Sequence, residues 1–471
     1  MFRNTSIKKT LICVVALLML ATVAFAACNG SSFKPTVDLP TGSVVVSTNG
    51  GIAVQYGDYI YYVNGLASAI TANTYENVDA RTGAICRIKV DKLDELFEVY
   101  NSTTITSSSD RTKEIARLVA ENAQLVVPKI YFTSATTTNL NGIYIFDDRI
   151  YIATPEDQLT SGGNTQTSKQ VLMSFKLDGS DMKRHYVFDS NTVQVMYDVI
   201  DNNLVATYVL NNVLSTLDVA KGTSAEIVKE ISNATFDVAG RNVFFTDKDG
   251  SVCMYKAGET EHKVLVDNSV EEGEDASTIS YSIKSVNNGN VYYTKSDSDL
   301  DSDLNGIELL RASESDKDVV ILTSKTFPDK YYGYGDKIVY VNSDSTSDPD
   351  TTLYGIFIAD GTLANPQVVL SPIENDTDIT FNRLEGDTLY YTVDSVSYSL
   401  DLSSPTATPV AYAKSLSTSA QGWALPDVLD NYVFTLTSSG TVTVVKFDAD
   451  KLTNTSSVNV TVVAPEKDED K

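Results

Sequence analysis

The densest run of ligand-type side chains in this sequence places Asp297, Asp299, Asp301, Asp303 and Asn305 alternately with other residues before Gly306 and Ile307. Asp301, Asp303, Asn305 and the backbone carbonyl of Ile307 stand at positions one, three, five and seven of an oxygen-ligand calcium loop, where a hard cation collects carboxylate and carbonyl oxygens. Ala312 occupies the twelfth position, which normally supplies a bidentate Glu, so Glu308, Asp297 or water would have to complete the shell. Alternating Ser and Asp is also ordinary turn composition, and a solvated acidic hairpin accounts for the same residues. Calcium is therefore the one cofactor left open. Catalytic motifs are scarce. Only His185 and His262 are present, which excludes a three-histidine zinc site, and each sits among charged residues in an expected hairpin away from a Ser or Cys motif. The sequence holds no nucleophile elbow, phosphate loop, dinucleotide fingerprint, paired-cysteine metal motif or zinc-protease helix.

The elements that would position these groups repeat along the chain. A short strand rich in Tyr, Phe, Ile and Val recurs at Tyr59 to Val63, Arg149 to Ala153, Leu204 to Tyr208, Asn242 to Thr246, Asn290 to Thr294, Lys337 to Val341, Thr388 to Thr392 and Tyr432 to Leu436. Each follows a Gly, Asn or Asp turn and is read as the first strand of a repeat. The later spacing is near the roughly 40–50 residues of one four-stranded propeller blade. Within the repeats, Asp249-Gly250 and Asp360-Gly361 lie between apolar runs, a strong hairpin signal. The predicted fold is all-β, a single β-propeller of about eight four-stranded blades from 44 to 464. Seven is the alternative if Leu204 to Tyr208 belongs to an irregular unit, because that repeat lacks the aromatic doublet and a Gly turn. Ser43 to Val46 or Val458 to Val463 would supply the last outer strand.

One segment breaks the repeat. Ile115, Leu118, Val119 and Leu125 share a stripe at helical spacing, which predicts a helical insertion at about 108–128, with Asp110 as N-cap and Pro128 beyond its end. The stripe either packs on the propeller or serves as a docking helix.

The first 27 residues carry Arg3, Lys8 and Lys9, then an apolar run from Leu11 to Ala24, then Phe25-Ala26-Ala27 before Cys28. This is the layout of a secretory signal, and the run is shorter than the ~20 residues a membrane span needs. The junction also resembles the lipobox of bacterial lipoproteins. That resemblance implies that Cys28 becomes the new N-terminus and the lipid anchor, on the outer face of the cytoplasmic membrane of a Gram-positive cell. Plain secretory cleavage, leaving Cys28 a free thiol, is the other reading. Residues 28–43 then form a flexible Gly, Ser, Pro and Thr tether, and 465–471 a charged tail. Cys86 and Cys253 remain in the body, each in an apolar strand, and are expected to be buried thiols.

Losing three basic groups from 36 leaves 33 against 62 acids, a net charge of −29 for the mature chain. Such a surface repels nucleic acid and anionic lipid, so contact with the membrane is expected through the anchor alone. Among partners, an extracytoplasmic protein or a neutral glycan remains, and the body is expected to be monomeric.

Phe244-Phe245-Thr246-Asp247 resembles the Tyr-Trp-Thr-Asp signature of low-density-lipoprotein-receptor-related propellers, with echoes at Tyr292-Tyr293-Thr294 and Tyr390-Tyr391-Thr392. The resemblance, from about Gly51 to Pro465, implies a bacterial surface lipoprotein carrying a propeller of this type. Since no catalytic motif is recognisable in the residues, the expected role is binding or scaffolding rather than catalysis. The enzyme alternative is a glycan hydrolase or lyase with paired carboxylates in the channel.

Overall fold

The computed structural model describes residues 51–64, 84–127, 142–155, 169–190, 193–269, 278–297, 307–324, 328–344, 353–361, 363, 366–374, 379–393, 396–404, 408–414, 427–429, 432–436, 441–446 and 457–462. Their strands form eight four-stranded antiparallel sheets, each built from four consecutive strands. The blades run Ala53–Val127, Tyr144–Phe188, Gln194–Val228, Ser232–Val266, Ile279–Ser324, Tyr331–Glu374, Thr380–Lys414 and Asp427–Asn459. The protein is an all-β propeller ring of eight blades.

The third blade is as regular as its neighbours, which removes the seven-blade alternative. Its turns dispense with glycine because Asp201, Asn202, Asn211 and Asn212 adopt φ of 49°, 62°, 52° and 62°. Asn and Asp are the non-glycine residues that tolerate this left-handed region in two-residue hairpins.

Each recurring aromatic strand is the second of its blade, not the first. An innermost strand precedes it, and innermost strands of neighbouring blades lie against one another around the axis. Second strands such as Tyr59–Val63 and Asn242–Thr246 are buried along their whole length, whereas the innermost Thr380–Glu385 is half-exposed. The seams between blades form the core. Phe244 of the fourth blade and Tyr293 of the fifth share one such cluster, and each is fully buried. Burying a side chain of that size contributes on the order of 1.5–3 kcal/mol.

Among the described residues each blade, the eighth included, is built from its own consecutive strands. Ser457–Asn459 is the outer strand of the eighth blade, so the Val458 to Val463 segment supplies it, while Ser43 to Val46 lies outside the described residues. Beyond it the chain turns toward the first blade. There Asn64 Nδ2 donates to the Val462 carbonyl at 2.9 Å and Asn64 Oδ1 accepts from the Val462 N–H at 2.8 Å. The Tyr62 hydroxyl donates to the Val460 carbonyl at 3.0 Å. An asparagine side chain thus offers the donor and acceptor that a neighbouring strand would offer.

Two helices, α1 (Val90–Tyr100) and α2 (Ser108–Asn122), connect the third and outer strands of the first blade. The cap of α2 is Ser107, whose Oγ accepts from the Asp110 N–H at 3.2 Å, rather than Asp110 itself. α1 was not foreseen. It buries Leu93, Leu96 and Phe97, and Asp94 reaches the eighth blade, accepting from the Tyr432 hydroxyl at 2.7 Å and pairing with Lys446. The insertion therefore also braces the closing seam. Among the described residues no helix is long and apolar enough to cross a membrane.

Candidate functional site

A two-residue hairpin joins the innermost and second strands of the first, second, third, fifth, sixth and seventh blades, whereas the fourth uses four residues, and in the fifth the turn is tight. Asn288 and Gly289 take φ of 48° and 76° between the paired Asn287 and Asn290. Beside it, Ser313–Asp318 turns between the third and outer strands. Ser313 N–H donates to the Asp316 carbonyl at 2.8 Å, and Ser313 Oγ accepts from the Asp316 N–H at 3.2 Å. Strand alternation puts both turns at one end of the blade, and they flank an open cavity of about 540 Å³. Asn288, Gly289, Asn290, Arg311, Ser313, Glu314, Ser315 and Asp316 line it.

Arg311 forms the floor, with its side chain only 11% exposed. Its guanidinium donates to Asn290 Oδ1 at 2.8 Å, to Asp336 Oδ1 at 3.0 Å through Nε, and to Asp316 Oδ2 at 3.3 Å. Asp336 belongs to the first hairpin of the sixth blade, so Arg311 also fastens two blades together. With two carboxylates against one guanidinium, the cleft offers hydrogen-bonding groups rather than excess positive charge. A buried, fully engaged Arg keeps its fork fixed, and the exposed Ser and Asn groups are left to meet a ligand.

The turns are held by neighbours. The Gly289 N–H donates to Asp237 Oδ2 at 2.6 Å, and Asn287 exchanges two hydrogen bonds with the backbone of Gly386, at 2.9 and 3.0 Å. The acids of these hairpins are thus engaged in structure. Asp387 accepts from the Tyr334 hydroxyl at 2.9 Å, and burial, helped by that carboxylate, pushes the phenol up to about 12.

Sequence reasoning placed His185 away from any serine. The structure brings it to Ser174, with Ser174 Oγ 2.7 Å from His185 Nε2. Ser174 also accepts from Arg149 Nε at 2.8 Å and is fully buried, so no substrate reaches that oxygen. The pair is structural.

Of the other expected residues, Ile115 and Val119 are buried and Leu118 and Leu125 pack partly buried against the same cluster, Leu125 from the strand that follows α2. The stripe packs against the core cluster that contains the first blade. Asp301, Asp303 and Asn305 lie outside the described residues, and Ile307 begins a strand. Cys28 also lies outside them. Among the described residues no group of three or more His, Cys, Asp or Glu side chains is placed to hold a metal ion. Cys86 and Cys253 are buried thiols rather than a disulfide, as the sequence predicts, and burial raises the pKa of Cys253. The Thr246-Asp247 pair of the receptor-like motif closes a turn, with Asp247 Oδ1 accepting from the N–H groups of Asp249 and Ser251 at 3.0 and 2.9 Å.

No protein-family model and no curated protein matches the chain. Solved structures similar to it include the β-propeller domain of the Trilobed protease from Pyrococcus furiosus, at 12% identity over 69% of this chain and 95% of that one, with a TM-score of 0.34. The computationally designed Ika8 protein follows at 9% identity, 65% and 95% coverage and 0.29. The protein lmo1340 from Listeria monocytogenes is similar at 8% identity, 66% and 90% coverage and 0.30.

Proposed function

We propose that this protein is a lipid-anchored, extracytoplasmic binding module whose ligand enters the polar cleft at one end of the fifth blade. The observation that supports it is the preset cleft itself, in which Arg311 is fixed by Asn290, Asp316 and Asp336 while Ser313, Ser315 and Asn288 line the opening. Fixed polar groups recognise a ligand without an ordering cost at the moment of binding. The strongly acidic surface favours a neutral or cationic ligand, either a neutral glycan or a segment of an envelope protein. Cys28 would carry the anchor, and residues 28–43 would hold the ring off the bilayer.

The test is site-specific photocrosslinking on intact cells. A photoreactive residue at Ser315 is compared with one at Lys248, in a hairpin between second and third strands and so at the opposite end of the blades. A discrete adduct from Ser315 alone supports the reading. Equal labelling from both positions would remove it.

A further inference from the structure

Neighbouring blades are held together by apolar side chains that both contribute, and seven of the eight seams carry such a shared cluster. One cluster runs from the eighth blade through the first into the second. Others join the second to the third, the third to the fourth, the fourth to the fifth, the fifth to the sixth and the sixth to the seventh. Among the described residues none joins the seventh to the eighth. Polar contacts divide the same way. Between the sixth and seventh blades the Tyr332 hydroxyl donates to the Asn382 carbonyl at 3.2 Å, and between the eighth and first stand the bonds of Asn64 and Asp94. No hydrogen bond or ion pair joins described residues of the seventh and eighth blades.

The face that the seventh blade turns to the eighth is polar. Leu389, Tyr391 and Leu400 pack back toward the sixth blade, so strand alternation directs Thr388, Tyr390, Thr392, Ser397 and Ser399 the other way. Tyr390 is half-exposed, whereas Tyr292, at the same place in the fifth blade, is 0% exposed. Ser397, opposite Thr392, stands where the fifth blade has the buried Leu309 opposite Thr294. This face satisfies itself within its own blade. Thr392 Oγ1 accepts from Asn382 Nδ2 at 2.9 Å and lies 3.3 Å from Ser397 Oγ. The Arg383 guanidinium lies over the Tyr390 ring, 4.5 Å from its centroid, and pairs with Glu385 at 3.1 Å. Across the seam, Thr435 and Thr443 of the eighth blade bond to each other at 2.6 Å, and the buried Val433 and Val445 face the same way. Separating these two blades exposes the valines and leaves the polar groups with their partners. Separating the eighth from the first would strip both backbone groups of Val462 and part the Tyr62 and Phe434 rings, whose centroids lie 5.6 Å apart.

We propose that the ring opens between its seventh and eighth blades, with the eighth staying on the first. Local opening is cheapest where few apolar contacts are lost and few polar groups are orphaned, and both conditions single out this seam. The first and last blades meet at the neighbouring seam, which the shared cluster, Asn64 and Asp94 keep shut.

Thiol labelling of the mature chain under native conditions, read peptide by peptide by mass spectrometry, tests this. Cys86, in the cluster that spans the eighth, first and second blades, and Cys253, between the third and fourth, are built-in references for seams that stay shut. Val433→Cys puts a thiol on the eighth blade facing the seventh, and Val444→Cys puts one on the same blade facing the first. Each rate is divided by that of the same peptide in the unfolded chain. The thiol of Val433→Cys is expected to react about tenfold or more faster than the other three, because labelling tracks the population of the opened form. A rate as slow as that of Cys253, or an equally fast rate in Val444→Cys, overturns the proposal. Should Val433→Cys fail to fold, Val445→Cys, on the same face, is read against the same references with the same two outcomes.

Discussion

Replacing Asn64 by Ala tests how the ring is closed. The side chain is fully buried and satisfies both backbone groups of Val462, which is itself 6% exposed. Alanine leaves a buried carbonyl and a buried N–H without those partners, and each loss costs about 1–3 kcal/mol. Water entering the small space left behind relieves part of this, so the expected destabilisation is about 2–4 kcal/mol. Urea unfolding followed by tyrosine fluorescence measures it, with hydrogen exchange at Tyr62, Val63 and Val460 reporting whether the loss is local to the seam. Tyr62→Phe, which removes only the hydroxyl bond to Val460, serves as a milder companion at about 1 kcal/mol. A loss below about 0.5 kcal/mol for Asn64→Ala, within the scatter of ordinary surface substitutions, would refute closure by this side chain.

Asp94→Ala should loosen the same seam by up to about 1 kcal/mol, because the carboxylate is nearly half exposed and screened. Burial opposes ionisation of Asp94, but its hydrogen bonds from Lys446 and Tyr432 lower its pKa overall. Its contribution is therefore present above the ordinary value near ~4 and lost as pH falls through the folded one, which an acid titration of wild type against Asp94→Ala would show. Gly179→Ala should destabilise by about 2 kcal/mol or more in chemical unfolding, since φ is +77° and an added Cβ would stand 1.8 Å from the Val126 carbonyl oxygen. Cys28→Ala should release the protein from the membrane fraction into the medium, and persistence in the membrane would contradict the lipid anchor.

What the sequence revealed of the fold follows burial. Second strands are enclosed by neighbouring blades, so Tyr292-Tyr293 or Phe244-Phe245 stand out as apolar runs. The innermost Thr380–Glu385 and Ser232–Asp237 are half-exposed and mixed in composition, so they carry no comparable signal. α1 was hidden because it follows the strand Ile85–Lys89 directly, and Lys89 caps it without a side-chain bond. Leu93, Leu96 and Phe97, at helical spacing, were the available sign. Arg311 is one basic residue in an ordinary strand, and only the sixth blade's Asp336 makes it the floor of a cleft. Ser174 and His185 lie eleven residues apart in one hairpin, and the bulge that faces them toward each other is visible only when the blades are aligned on it.

The cleft can be tested by filling it. The soluble ring, residues 44–464, is immobilised and offered neutral glycans and proteins released from the envelope of its own host cells, with Ser315→Trp in parallel and Lys248→Trp at the opposite end as control. A ligand retained by the wild type and the Lys248 variant but lost from Ser315→Trp is the predicted result. Retention by all three, or by none, would contradict a binding module that works through this cleft.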